Sequence, residues 1–107
     1  MCRQLIEKLE KSISALEAFV KDREKAYIEE CERDFKDRPE HIDRCLHRWF
    51  KALKQFYVDK LDAELSSDLA KLKHECNDVE SYNAFRARLD IVKAYVDSLI
   101  ERYKPRS

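Results

Sequence analysis

The sequence has no glycine and only two prolines in 107 residues. Without glycine it lacks the usual residue for tight β-hairpins, left-handed helix ends and phosphate-cradling loops. A strand-rich fold would need several such turns, so helices joined by short polar connections remain. Net charge is also missing, since 22 Lys and Arg balance 22 Asp and Glu. No global field therefore draws the chain towards nucleic acid or an anionic membrane. No apolar run approaches the roughly 20 residues that cross a bilayer. The opening Met1-Cys2-Arg3-Gln4-Leu5-Ile6-Glu7-Lys8 turns to charge too early for a secretory signal. Together with the missing Asn-x-Ser/Thr acceptor, these absences lead to the expectation of a cytoplasmic protein with no membrane partner.

What is present is amphipathic. Hydrophobic residues make up 44% and charged residues 41% of the chain, enough for one shared core and hence a single domain over 1–107. Ile6, Leu9, Ile13, Leu16 and Val20 recur by threes and fours, which predicts a helix from about Cys2 to Lys36. The flanking Leu5 and Phe19 widen that stripe beyond a two-stranded coiled-coil seam and suit a bundle core. A break at Lys36-Asp37-Arg38 precedes Pro39, which favours the first turn of a new helix. From there Ile42, Leu46, Trp49, Leu53, Phe56 and Leu61 begin a stripe that continues to Cys76. Ser66-Ser67 is the expected site of any bend in it. Asn77, three residues before Glu80, has the pattern of a helix cap. A third helix follows through Phe85, Leu89, Val92, Val96 and Leu99, and Lys104, Pro105 and Arg106 close it.

Short breaks make successive helices antiparallel neighbours. The expected fold is all-α, an up-down-up antiparallel three-helix bundle in which a long helical hairpin carries a shorter third helix. Its dimensions resemble those of a spectrin repeat. At about 1.5 Å per residue the hairpin arms span roughly 50–60 Å and the third helix about 40 Å. The tip of the hairpin is therefore expected to lack a third neighbour. Phe35, Ile42, Leu46 and Trp49 are its candidate partner-binding residues, for a protein partner or a second copy.

The four cysteines fit the same hairpin. If it turns near residue 38, opposed positions have numbers summing to about 76, as Cys31 and Cys45 do. Cys2 and Cys76 come within two of that sum, so the pairs face each other at opposite ends. The default reading is four reduced thiols used as small core residues. The alternative is two disulfides in an oxidising compartment. That layout resembles the stapled hairpins of the coiled-coil-helix proteins of the mitochondrial intermembrane space, although those use closely spaced twin cysteines. A metal reading would draw on His41, Cys45 and Cys31, with Asp34 or water completing the set. It is not favoured, and no metal or cofactor is expected.

Charge is uneven along the second helix. Its start carries Arg38, Arg44, Arg48, Lys51 and Lys54 against Glu40 and Asp43, while acidic residues dominate after Asp59. This opposes the helix dipole. The ordinary explanation is local pairing of Glu29, Glu30 and Glu32 with Arg44, His47 and Arg48 across the hairpin. The functional alternative is a nucleic-acid contact through Arg44, Arg48 and Lys51, with nearby aromatics for stacking. Catalysis finds no phosphate loop, nucleophile elbow or paired-histidine motif. Glu64 and Asp90 come nearest to buried carboxylates and read as surface residues. The sequence thus points to a helical interaction module, an adaptor or a subunit of a larger assembly, and not to an enzyme.

Overall fold

The computed structural model describes residues 2–105, and Arg106 lies outside the described residues. Helix α1 runs Cys2–Asp34, α2 Pro39–Leu53, a π-helical turn Lys54–Val58, α3 Asp59–His74 and α4 Val79–Arg102. No strand occurs among the described residues. The helices pack into an elongated bundle measuring 55 × 23 × 17 Å.

Helix α2, the π turn and α3 follow one another without a break, so the second arm is continuous as expected. The serines do not interrupt it, and Ser66 Oγ bonds back to the Asp62 carbonyl at 2.9 Å. The departure from α geometry falls earlier, and its cause is the spacing of the core. Leu46, Phe50 and Leu53 are buried at steps of four and three, but the next fully buried residue is Val58, five positions on. An α-helix would carry that residue far round the cylinder. A single π turn absorbs the extra residue and returns Leu65, Leu69 and Leu72 to the core face.

This corrects the expected stripe. Trp49 is 42% exposed whereas its neighbour Phe50 is fully buried, and Phe56 is 58% exposed. Phe50 is the inward aromatic because the end of α4 reaches it, Tyr103 stacking on its ring at 5.7 Å between centroids.

The helix ends explain themselves locally. Pro39 begins α2, where its missing N–H costs nothing. At the second break Asn77 adopts φ 55°, the left-handed region that asparagine tolerates when glycine is absent. The cap of α4 is Asp78 and not Asn77: its carboxylate accepts from Ser81 N at 3.0 Å, which lowers its pKa.

Helix α4 is held against both arms by a hydrophobic seam and by ions at its edges. Arg88 pairs with Glu10 at 2.6 Å and Glu17 at 2.7 Å on α1. Arg86 and Lys93 converge on Asp62 of α3 at 2.8 and 2.9 Å. Burial pushes the Asp62 carboxyl up, but the Arg86 ion pair and the hydrogen bond from Lys93 more than offset it and leave the pKa lowered.

Candidate functional site

Both cysteine pairs are bonded: Cys2 to Cys76 and Cys31 to Cys45, each with Cα atoms 5.9 Å apart. The four cysteines are therefore not the free thiols of the default reading. No group of three or more potential metal ligands occurs among the described residues. With Cys31 and Cys45 spent on each other, His41 keeps neither as a thiolate co-ligand.

Towards the Cys31–Cys45 end of the bundle, Tyr103 at the close of α4 stacks on Phe50 and the Ile100 carbonyl lies 3.0 Å from His47 Nδ1. Of the four candidate tip residues, Leu46 is buried at 2% exposure and contributes no free surface. It lies one residue from His47, within the reach of α4, and belongs to the core. Ile42 and Phe35 are half-buried, and Ile42 packs against the core. Trp49 is left as the large exposed group. It lines a groove of ≈ 290 Å³ with Asp34, Phe35, His41, Arg44, Cys45 and Arg48.

Trp49 also begins a feature that no regular period reveals. Its ring stacks on Tyr27 at 5.1 Å. Arg23 places its guanidinium 5.9 Å from the Tyr27 ring and 5.6 Å from Phe19. Phe19 in turn meets Tyr57 at 4.8 Å. The result is an aromatic strip with one arginine in its floor, running between α1 and the second arm. Arg23 Nε is shielded from solvent and has no hydrogen-bond partner. Beyond Tyr57 the strip opens into a groove of ≈ 490 Å³ lined by apolar groups including Leu16, Phe56 and Leu61, with Lys60 and Glu64 at its edge. No residue of α4 lines either groove.

The basic residues flank this strip. Arg44, Arg48 and Lys51 are exposed, and their spacing of four and three puts them on one helix face. All three line a further shallow groove with Gln55 and Phe56 that contains no carboxylate. The expected neutralisation from α1 does not occur: among the described residues no ion pair within 4 Å joins Glu29, Glu30 or Glu32 to Arg44, His47 or Arg48. Elsewhere cations are used across helices, as in Lys8–Asp68 at 2.7 Å and the Lys54–Asp97 pair. Of the two carboxylates singled out from sequence, Glu64 is exposed and Asp90 is exposed beside Arg86.

Among the described residues no helix is long and apolar enough to cross a membrane. Comparison of the chain with protein-family models, with curated proteins and with solved structures finds no match.

Proposed function

We propose that this chain is a helical protein-interaction module, an adaptor or subunit that acts by binding and not by catalysis, through the surface around Trp49. The observation that carries the reading is the exposed Trp49, stacked on Tyr27 beside Phe35 and two cations without ion-pair partners among the described residues. Tryptophan and arginine in a shaped patch are where binding energy concentrates in protein interfaces. Leaving a group of this size wet gives the isolated chain nothing.

An up-down-up path, a long hairpin plus a shorter third helix, is the architecture proposed for the module. The two bridges support it by joining α1 to the second arm at opposite ends. So do the contacts of α4, whose Arg88 and Tyr95 meet Glu17 and Glu24 in rising order along α1. Against the second arm the order reverses, with Lys93 at Asp62 and Asp97 at Lys54. Two disulfides support residence in an oxidising compartment over the cytoplasmic expectation.

The test is a comparison of baits. Wild type and Trp49→Ala are used side by side on extracts of the source cells, and retained proteins are reconstituted in purified form and titrated by calorimetry. Loss of a saturable partner with the variant, at unchanged helicity and melting temperature, is expected. Retention of the same proteins with the same affinities by both baits would remove Trp49 from any interface.

A second reading, nucleic-acid contact through Arg44, Arg48 and Lys51, is supported by those three cations having no ion-pair partner among the described residues. It expects RNA or DNA retention at low salt that the triple Glu variant abolishes. Absence of retention by wild type at low salt ends it.

A further inference from the structure

The chain shows, in its own α4, how its hairpin accepts a helix. An apolar stripe of Phe85, Leu89, Val92 and Val96 enters the space between the arms, and rim charges of opposite sign fix it. The hairpin supplies mostly acid there (Glu10, Glu17 and Asp62) and α4 supplies Arg86, Arg88 and Lys93. The outer strip offers the same two components with the sign reversed. Its floor is aromatic from Trp49 through Tyr27 and Phe19 to Tyr57. Its rim on the second arm carries Arg44, Arg48, Lys51 and Lys60, with Glu64 the one second-arm carboxylate among the described residues lining the grooves there. The π turn is what brings Phe56 and Tyr57 out together onto this side.

We propose that this outer strip seats an acidic amphipathic helix of another protein, which completes a fourth helix position beside the hairpin. The proposal rests on the Trp49 surface being an association site and adds the chemistry of its occupant. Apolar residues of the incoming helix lie over Trp49, Phe19, Phe56 and Tyr57, with Tyr27 buried beneath them, and its carboxylates meet the α2 cations that have no ion-pair partner among the described residues. Among the described residues no ion pair within 4 Å holds those cations, so they are free to meet a partner's carboxylates.

A second copy and a nucleic acid compete for the same strip. Against a nucleic acid, Trp49 already has one ring face stacked on Tyr27; a second copy would make Trp49 emission depend on dilution.

Trp49 is the only tryptophan in the chain, so its fluorescence reports occupancy of the strip directly. The oxidised protein is titrated with two Trp-free, helix-favouring synthetic peptides of about 18 residues, long enough at 1.5 Å per residue to cover the strip. Both carry leucine at helical spacing; one has glutamate and the other lysine on its flanks. Polyuridine RNA forms a third arm, and dilution without ligand a fourth. The glutamate peptide is expected to shift Trp49 emission to the blue, saturably and with affinity falling as salt rises. The lysine peptide should bind at least about tenfold more weakly. Arg44→Glu/Arg48→Glu/Lys51→Glu should reverse that preference.

Equal affinity for the two peptides, no reversal in the triple variant, or no binding of either peptide overturns the proposal. Polyuridine binding more tightly than the glutamate peptide, or a dilution-dependent change in Trp49 emission without ligand, assigns the strip to another occupant and overturns it too. The Trp49 reading fails separately, if Trp49→Ala retains both its natural partners and its peptide affinity.

Discussion

Deleting a single residue separates the π turn from ordinary helix, and the two results should differ by most of the stability of the fold. Removal of Gln55, which is exposed, shortens the step between the buried Leu53 and Val58 from five residues to four. The turn can then close as α-helix with both flanks in phase, so the expected loss is small, on the order of 1 kcal/mol or less. Removal of Ser67, also exposed, has no slack to absorb it. Everything after the deletion rotates by about 100° relative to the core. Leu69 at 2% exposure and the fully buried Leu72 then leave their seats, and Cys76 turns away from Cys2. Losing two buried leucines costs about 2–5 kcal/mol each, which rivals the ~5–15 kcal/mol holding a typical domain together. Urea denaturation followed by far-UV circular dichroism measures both variants. A Gln55 deletion as damaging as the Ser67 deletion would refute the account of the π turn as an inserted residue. Tolerance of the Ser67 deletion would refute the register of α3.

Adjacent aromatics should respond in opposite ways: Phe50→Ala costs about 3–5 kcal/mol in the same assay, and Trp49→Ala much less, an order that exposure alone dictates. Reversal of that order would show that Trp49 is core. Each disulfide restrains the unfolded chain, and loop-closure entropy gives about 4 kcal/mol for Cys2–Cys76 and about 3 kcal/mol for Cys31–Cys45, across separations of 74 and 14 residues. Single Cys2→Ser and Cys31→Ser variants should each lower the urea midpoint, and an unchanged midpoint argues against the corresponding bridge. Acid should weaken the α4 docking. Hydrogen bonding from Arg88 holds Glu17 below its ordinary value of 4.5, and the Arg86 and Lys93 contacts leave Asp62 lowered as well. Carboxylates depressed in the fold stabilise it above their unfolded pKa and lose that effect as pH falls through the folded one. Melting temperature should therefore hold from neutrality down to the ordinary carboxylate range and drop below it, with a shallower drop in Arg88→Met. An equally steep acid limb in that variant would show that the Glu10 and Glu17 pairs do not set it.

Periodicity and the hairpin arithmetic were sufficient for much of this molecule. Three continuous helical arms, the break at Pro39, the stripe of α4 and the facing of both cysteine pairs all follow from spacing. A short turn leaves an antiparallel register little freedom. Which of two neighbouring aromatics turns inward does not follow from spacing. Trp49 and Phe50 differ by one residue, and the choice falls to α4, whose Tyr103 covers one and leaves the other. The π turn was hidden for the same reason, since Phe56, Tyr57 and Val58 each offer an apolar group and only packing on both sides of the step selects Val58. Asp78 displaced Asn77 as the cap because Asn77 was needed for the left-handed residue that ends α3. Sequence placed Glu29, Glu30 and Glu32 opposite Arg44 and Arg48, but ion pairing is decided by side-chain reach and direction, and these did not meet. What sequence settled was the order of the helices along the chain. What tertiary contact settled was which side of the hairpin stayed open, and with it the aromatic and basic surface that the chain presents.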